Sequence, residues 1–84
     1  MFSYDFTFQS LTLAQSGRNV LHSQRIPAQI MRAPGSIAVE GCAYVVQVEG
    51  RYGAAAADTL RYFGEGFGRV FRAWPDGRLE EAAL

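Results

Sequence analysis

The chain has no lysine: all eight of its basic residues are arginines. Schiff-base catalysis, which requires a lysine amine, is therefore excluded. Cysteine occurs once, at Cys42, so no internal disulfide can form and nothing points to an oxidising compartment. Histidine also occurs once, at His22, and there is no C-x-x-C or H-x-x-x-H pair. A zinc site therefore lacks its ligands, an iron–sulfur cluster lacks its thiolates, and no metal or other cofactor is expected. No apolar run approaches the roughly 18 residues of a membrane span, so no membrane association is expected. The opening M-F-S-Y-D-F-T-F carries an acid and lacks the basic and apolar regions of a signal peptide. The expected location is the cytoplasm.

Charge of one sign is missing as well, because eight acidic residues balance the eight arginines. The arginines are scattered rather than blocked, so the electrostatic footprint of a nucleic-acid binder is absent. Zero net charge leaves little colloidal repulsion and favours self-association.

What is present belongs to one folded domain over residues 1–84. A hydrophobic fraction of 49% rules out low-complexity disorder, and 84 residues are too few for a second core. Phe2, Tyr4, Phe6 and Phe8 alternate with Ser3, Asp5, Thr7 and Gln9, the period of a half-buried strand with its aromatic face inward. The period then lengthens. Ser10 is a good N-cap, and Leu13, Gly17, Val20 and Leu21 form the apolar stripe of a helix from Leu11 to Ser23 or Gln24. Gly17 in mid-helix implies close approach to a strand, and Pro27 bars continuation.

Ala28 to Arg32 reads as a short strand ended by Ala33-Pro34-Gly35, and Ser36 to Gly41 fits no one element. Ala43 to Val48 is the most β-prone run, apolar on both faces as an interior strand should be. Tyr52 to Phe63 is an alanine-rich helix presenting Ala56, Thr59, Leu60 and Phe63, with Gly64 and Gly66 as C-cap residues. Phe67 to Trp74 returns to strand character. After Pro75-Asp76-Gly77, residues 75–84 read as a weakly ordered tail. The order strand, helix, strand, strand, helix, strand predicts an α+β, ferredoxin-like βαββαβ domain. Its four-stranded, largely antiparallel sheet would carry both helices on one face.

Few residues can carry chemistry. His22, near a helix C-terminus, suits the helix dipole better than it suits catalysis. Gly64-Glu65-Gly66-Phe67-Gly68 follows a helix and precedes a strand, the reverse of a phosphate-binding loop, so a C-cap explains it better. The aromatic strand could stack bases, but no arginine cluster or RNA-recognition signature accompanies it. Paired carboxylates and nucleophile–base spacings are not readable, so no enzyme is expected. That leaves Cys42, the only strong nucleophile. It follows Gly41 and ends a loop whose backbone N–H groups could steady a thiolate or persulfide anion. Glu40 would oppose the anion, and Arg32 could offset it. A small buried cysteine at a strand start is the alternative.

Phe8-Gln9-Ser10, the helix from Leu11, Ile26-Pro27, Ala28 to Met31, Pro34 and Cys42-Ala43-Tyr44-Val45-Val46 fall in a familiar order. Over about the first 48 residues the chain resembles the Se/S carrier-like domains, small bacterial and archaeal proteins. The family tends to place Arg and several serines after the proline, and Cys-Gly at the loop end. This chain has Pro34-Gly35, the single Ser36, and Gly41 before the cysteine. The resemblance implies a non-enzymatic sulfur or selenium carrier in which Cys42 accepts a persulfide. Arg32, Gly35, Ser36 and Gly41 would steady the anion, and donor and acceptor proteins would be its partners. The alternative expectation is a small regulatory or binding module with a structural Cys42. Its contacts would come from the Arg32–Gly35 and Arg51–Tyr52 loops. A homodimer through an exposed sheet edge is expected in either case.

Overall fold

The computed structural model describes residues 1–38, 41 and 43–84; Val39, Glu40 and Cys42 lie outside the described residues. Strand β1 (Ser3–Phe8) leads to helix α1 (Leu11–Ser23), strand β2 (Gln29–Arg32) and a single helical turn, α2 (Gly35–Ala38). Strand β3 (Tyr44–Glu49), a 3-10 turn (Gly50–Tyr52), helix α3 (Gly53–Tyr62), strand β4 (Val70–Ala73) and strand β5 (Leu79–Ala82) complete the chain. The sheet order is β2-β3-β1-β4-β5, and every neighbouring pair is antiparallel. Two helical connections interlock: β1 and β2 flank β3, and β3 and β4 flank β1.

The fold is thus α+β, with five strands where the sequence predicts four. The fifth comes from the expected tail. Trp74 N–H donates to the Arg78 carbonyl at 2.9 Å, and Arg78 N–H donates to Asp76 Oδ1 at 2.9 Å. Gly77 sits at φ 89° and closes the hairpin turn, a conformation that glycine adopts without strain. The segment Leu79-Glu80-Glu81-Ala82 has poor strand propensity. Its pairing is set by context, because Glu80 lies directly across from Arg72 and bonds to it at 3.3 Å.

Both long helices pack together over one sheet face. There Tyr4, Phe6 and Phe8 of β1 meet Val46 and Val48 of β3, Leu21 of α1 and Leu60 of α3. The expected inward aromatic face of β1 is present. The helix faces are rotated from expectation. Helix α1 buries Ala14, Gly17 and Leu21 and leaves Leu13 46% exposed, while α3 buries Gly53, Ala56, Ala57 and Leu60 and leaves Phe63 47% exposed. Gly17 explains the first rotation. A β-carbon there would stand 2.8 Å from Phe8 Cζ and 3.5 Å from Leu60 Cδ2, so the phenyl ring of β1 occupies the helix groove.

Ser10 caps α1 as expected, its Oγ accepting from Leu13 N–H at 3.2 Å. Both long helices end in Schellman turns. Ile26 N–H returns to the Leu21 carbonyl at 2.9 Å with Arg25 at φ 62°, and Glu65 N–H returns to the Leu60 carbonyl at 2.8 Å with Gly64 at φ 70°. The Gly64–Gly68 segment is therefore a helix stop, and strand β4 starts at Val70, later than the expected Phe67.

Candidate functional site

The described residues between Ala33 and Ala43 are organised from their base. Ala33 N–H donates to the Ala43 carbonyl at 3.0 Å, continuing the β2–β3 ladder by one pair. The Pro34 carbonyl then accepts from both Ile37 and Ala38 N–H at 2.9 Å, which forms the α2 turn. Ile37 is 2% exposed and packs with Val45 and Phe71 on the sheet face away from the long helices. Gly41, at φ 86°, gives its N–H to the Ala38 carbonyl at 3.0 Å. Apolar burial of Ile37 and these backbone bonds hold Ala33 to Ala38 on the sheet.

The expected site residues are distributed unevenly around it. Cys42, the expected persulfide carrier, lies outside the described residues; its neighbours Gly41 and Ala43 are both exposed. Gly35 and Ser36 open the α2 turn, and Gly35 faces open space. Arg32 is exposed at the end of β2, across from Tyr44, with its guanidinium 5.9 Å from the centre of that ring. By strand alternation Arg32 and Tyr44 point to the helix-covered face, opposite to the face that Ile37 covers. Arg32 and α2 therefore occupy different sides of the sheet.

His22 is remote from this loop. Its Nε2 donates to the Ala28 carbonyl at 2.8 Å and ties the end of α1 to the start of β2. About 16 Å of extended chain separates Ala28 from Ala33. Among the described residues no group of three or more His, Cys, Asp or Glu side chains gathers as a metal site would, and no helix is long and apolar enough to cross a membrane. In the Gly64–Gly68 segment the N–H groups of Gly64, Glu65, Phe67 and Gly68 all donate to backbone carbonyls, so they are not collected for an anion.

The sequence reading missed Asp5. Alternation along β1 suggests a solvated position, but Asp5 is 3% exposed and Thr7 is fully buried. The strand is central, and Asp5 is flanked by Gln47 on one side and Phe71 on the other. Gln47 Nε2 donates to Asp5 Oδ1 at 3.0 Å, and Gln29 Nε2 donates to Gln47 Oε1 at 3.2 Å. The result is a polar chain across β1, β3 and β2. Burial pushes the Asp5 carboxyl above the usual aspartate range, and the Gln47 bond pulls it partly back. The available clue was an acid in the middle of an aromatic strand.

No protein-family model, no curated protein and no solved structure matches the chain.

Proposed function

We propose that this chain is a non-enzymatic sulfur or selenium carrier on a ferredoxin-like plan extended by one strand. The observation that carries the reading is the anchoring of Ala33 to Ala38 on the sheet, together with the exposure of Gly41 and Ala43, the chain neighbours of Cys42. A carrier needs a thiol presented on a fixed loop, within reach of a second protein. The Cys42 thiolate would attack the outer sulfur of a donor persulfide, R–S–SH. The donor S–S bond breaks, Cys42–S–SH forms, and the donor leaves as a thiol. An acceptor nucleophile then takes the outer sulfur and regenerates the Cys42 thiol. No oxidant enters either step, because the sulfane sulfur moves with its oxidation state unchanged. Gly35 and Ser36 lie at the start of the α2 turn, and Gly41 turns the chain just before the cysteine. Arg32 precedes the loop in the chain but points to the other face of the sheet, so the loop backbone rather than Arg32 would steady the anion.

The test is labelling with a small persulfide carrying radioactive sulfane sulfur. The native chain is expected to take up one equivalent that a reducing agent releases. Cys42→Ser should take up none while keeping its circular dichroism spectrum. Label on Cys42→Ser, or none on the native chain, overturns the reading.

The second reading is a ligand- or protein-binding module with a structural Cys42. It is favoured by the Asp5–Gln47–Gln29 chain and by an adjoining depression of about 370 Å³ that Ser3, Pro27, Gln29, Gln47 and Glu49 line. Alkylation of Cys42 only after denaturant is added would support this second reading over the first.

A further inference from the structure

The two edges of the sheet differ in how they are protected. At the β5 edge, Glu80 and Glu81 pair with Arg72 and Arg69. Self-pairing of that edge centred on Glu80 or Glu81 would set carboxylate against carboxylate. At the β2 edge, Gln29-Ile30-Met31-Arg32 carries one charge, at its end, and among the described residues nothing pairs with its outer side.

The register identifies which groups of β2 are unpaired. Ala33 N–H bonds to the Ala43 carbonyl, so Ala33, Met31 and Gln29 turn their backbone groups toward β3. Ile30 and Arg32 therefore turn theirs outward. The next outward residue, Ala28, has its carbonyl engaged by His22. Only Ile30 and Arg32 present complete donor–acceptor pairs.

We propose that the chain pairs with a second copy of itself, β2 against β2, antiparallel about a two-fold axis through Met31. In this register Ile30 of each protomer lies opposite Arg32 of its partner, and the two pairs exchange four N–H···O bonds. Each Met31, 41% exposed in the single chain, meets its own copy at the close, non-hydrogen-bonded position. The Arg32 charges face Ile30 rather than each other. The alternative register, centred on Ile30, would set Arg32 against Ala28 and its occupied carbonyl. Outward groups, apolar contact and charge separation therefore select the same alignment. It makes a continuous ten-stranded sheet and closes at two subunits, because the guarded β5 edges lie outermost.

Sedimentation equilibrium of the full chain tests this. The native chain is expected at twice the protomer mass. Met31→Lys places two like charges in direct opposition, and Met31→Glu does the same with the other sign. Each should dissociate at about tenfold lower affinity or worse, with unchanged circular dichroism. Mixing the two variants should restore a dimer, an outcome that general destabilisation would not produce. A native chain that stays monomeric at millimolar concentration overturns the proposal. So does a dimer indifferent to Met31→Lys, or growth into longer assemblies, which β2-on-β5 pairing would give.

Discussion

The two faces of the sheet make different contributions from the same strands. On the helix-covered face Tyr4, Phe6, Phe8, Val46, Val48 and Val70 form one continuous apolar layer beneath α1 and α3. On the other face a small apolar patch of Ile37, Val45 and Phe71 sits beside a polar chain that runs from the buried Asp5 through the half-buried Gln47 to the exposed Gln29. The first face supplies cohesion. The second holds groups whose burial opposes folding, and it also anchors the loop proposed to carry sulfur. Marginal stability makes this division consequential, because losses of a few kcal/mol approach the whole folding free energy.

The largest expected effect compares an aromatic from each face. Phe6→Ala removes a fully buried ring from the continuous layer and should cost about 3–5 kcal/mol. Phe71→Ala, in the small patch and 9% exposed, should cost about 3 kcal/mol, at the low end of that range. Urea unfolding of both variants measures the gap, and equal losses would erase the distinction between the faces.

A smaller effect is expected where α3 meets the apolar layer. A β-carbon at Gly53 would overlap Cδ2 and Cε2 of the buried Tyr4 ring. The helix-propensity gain of Gly53→Ala is up to about 1 kcal/mol, whereas overpacking costs about 1–3 kcal/mol. The variant should therefore lose on the order of 1 kcal/mol in the same assay. A stabilised variant would mean that this face packs more loosely than its contacts indicate.

The smallest effect belongs to the polar face and depends on pH. Burial raises the Asp5 value, so the folded chain holds that proton more tightly than the unfolded chain does. Its contribution to stability is full below the unfolded-state value and is lost as pH rises through the folded-state value. Above both, the ionised carboxylate opposes folding. Asp5→Asn keeps an oxygen for Gln47 Nε2 and removes the charge. Its stability should rise relative to the native chain as pH increases, and the gap should close in acid. Urea titrations across pH would show this, and a gap independent of pH would remove Asp5 as its source.

Much of this architecture is legible in the residues because it is local. The aromatic alternation of Phe2 to Phe8, the Ser10 cap, the apolar run of β3 and the alanines of α3 each specify an element from its own neighbours. The Gly64 helix stop is equally local. Strand β5 is not, since Glu80 and Glu81 become strand residues through arginines on β4 and before it. The same applies to the site. Pro34 and Gly41 mark a loop, but Ile37 as its anchor depends on Val45 and Phe71 from two other strands.

The sequence by itself therefore determined the order of β1, α1, β2, β3, α3 and β4, the inward face of β1, and Cys42 as the only thiol. Periodicity, capping and turn chemistry act over a few residues and need no fold to be read. Only the tertiary structure decided the helix rotation against Phe8, the fifth strand, the burial of Asp5 and Thr7, and the unguarded edge of β2. These depend on which strands become neighbours. A strand's exposure is set by what lies across from it, and that partner is distant in the chain.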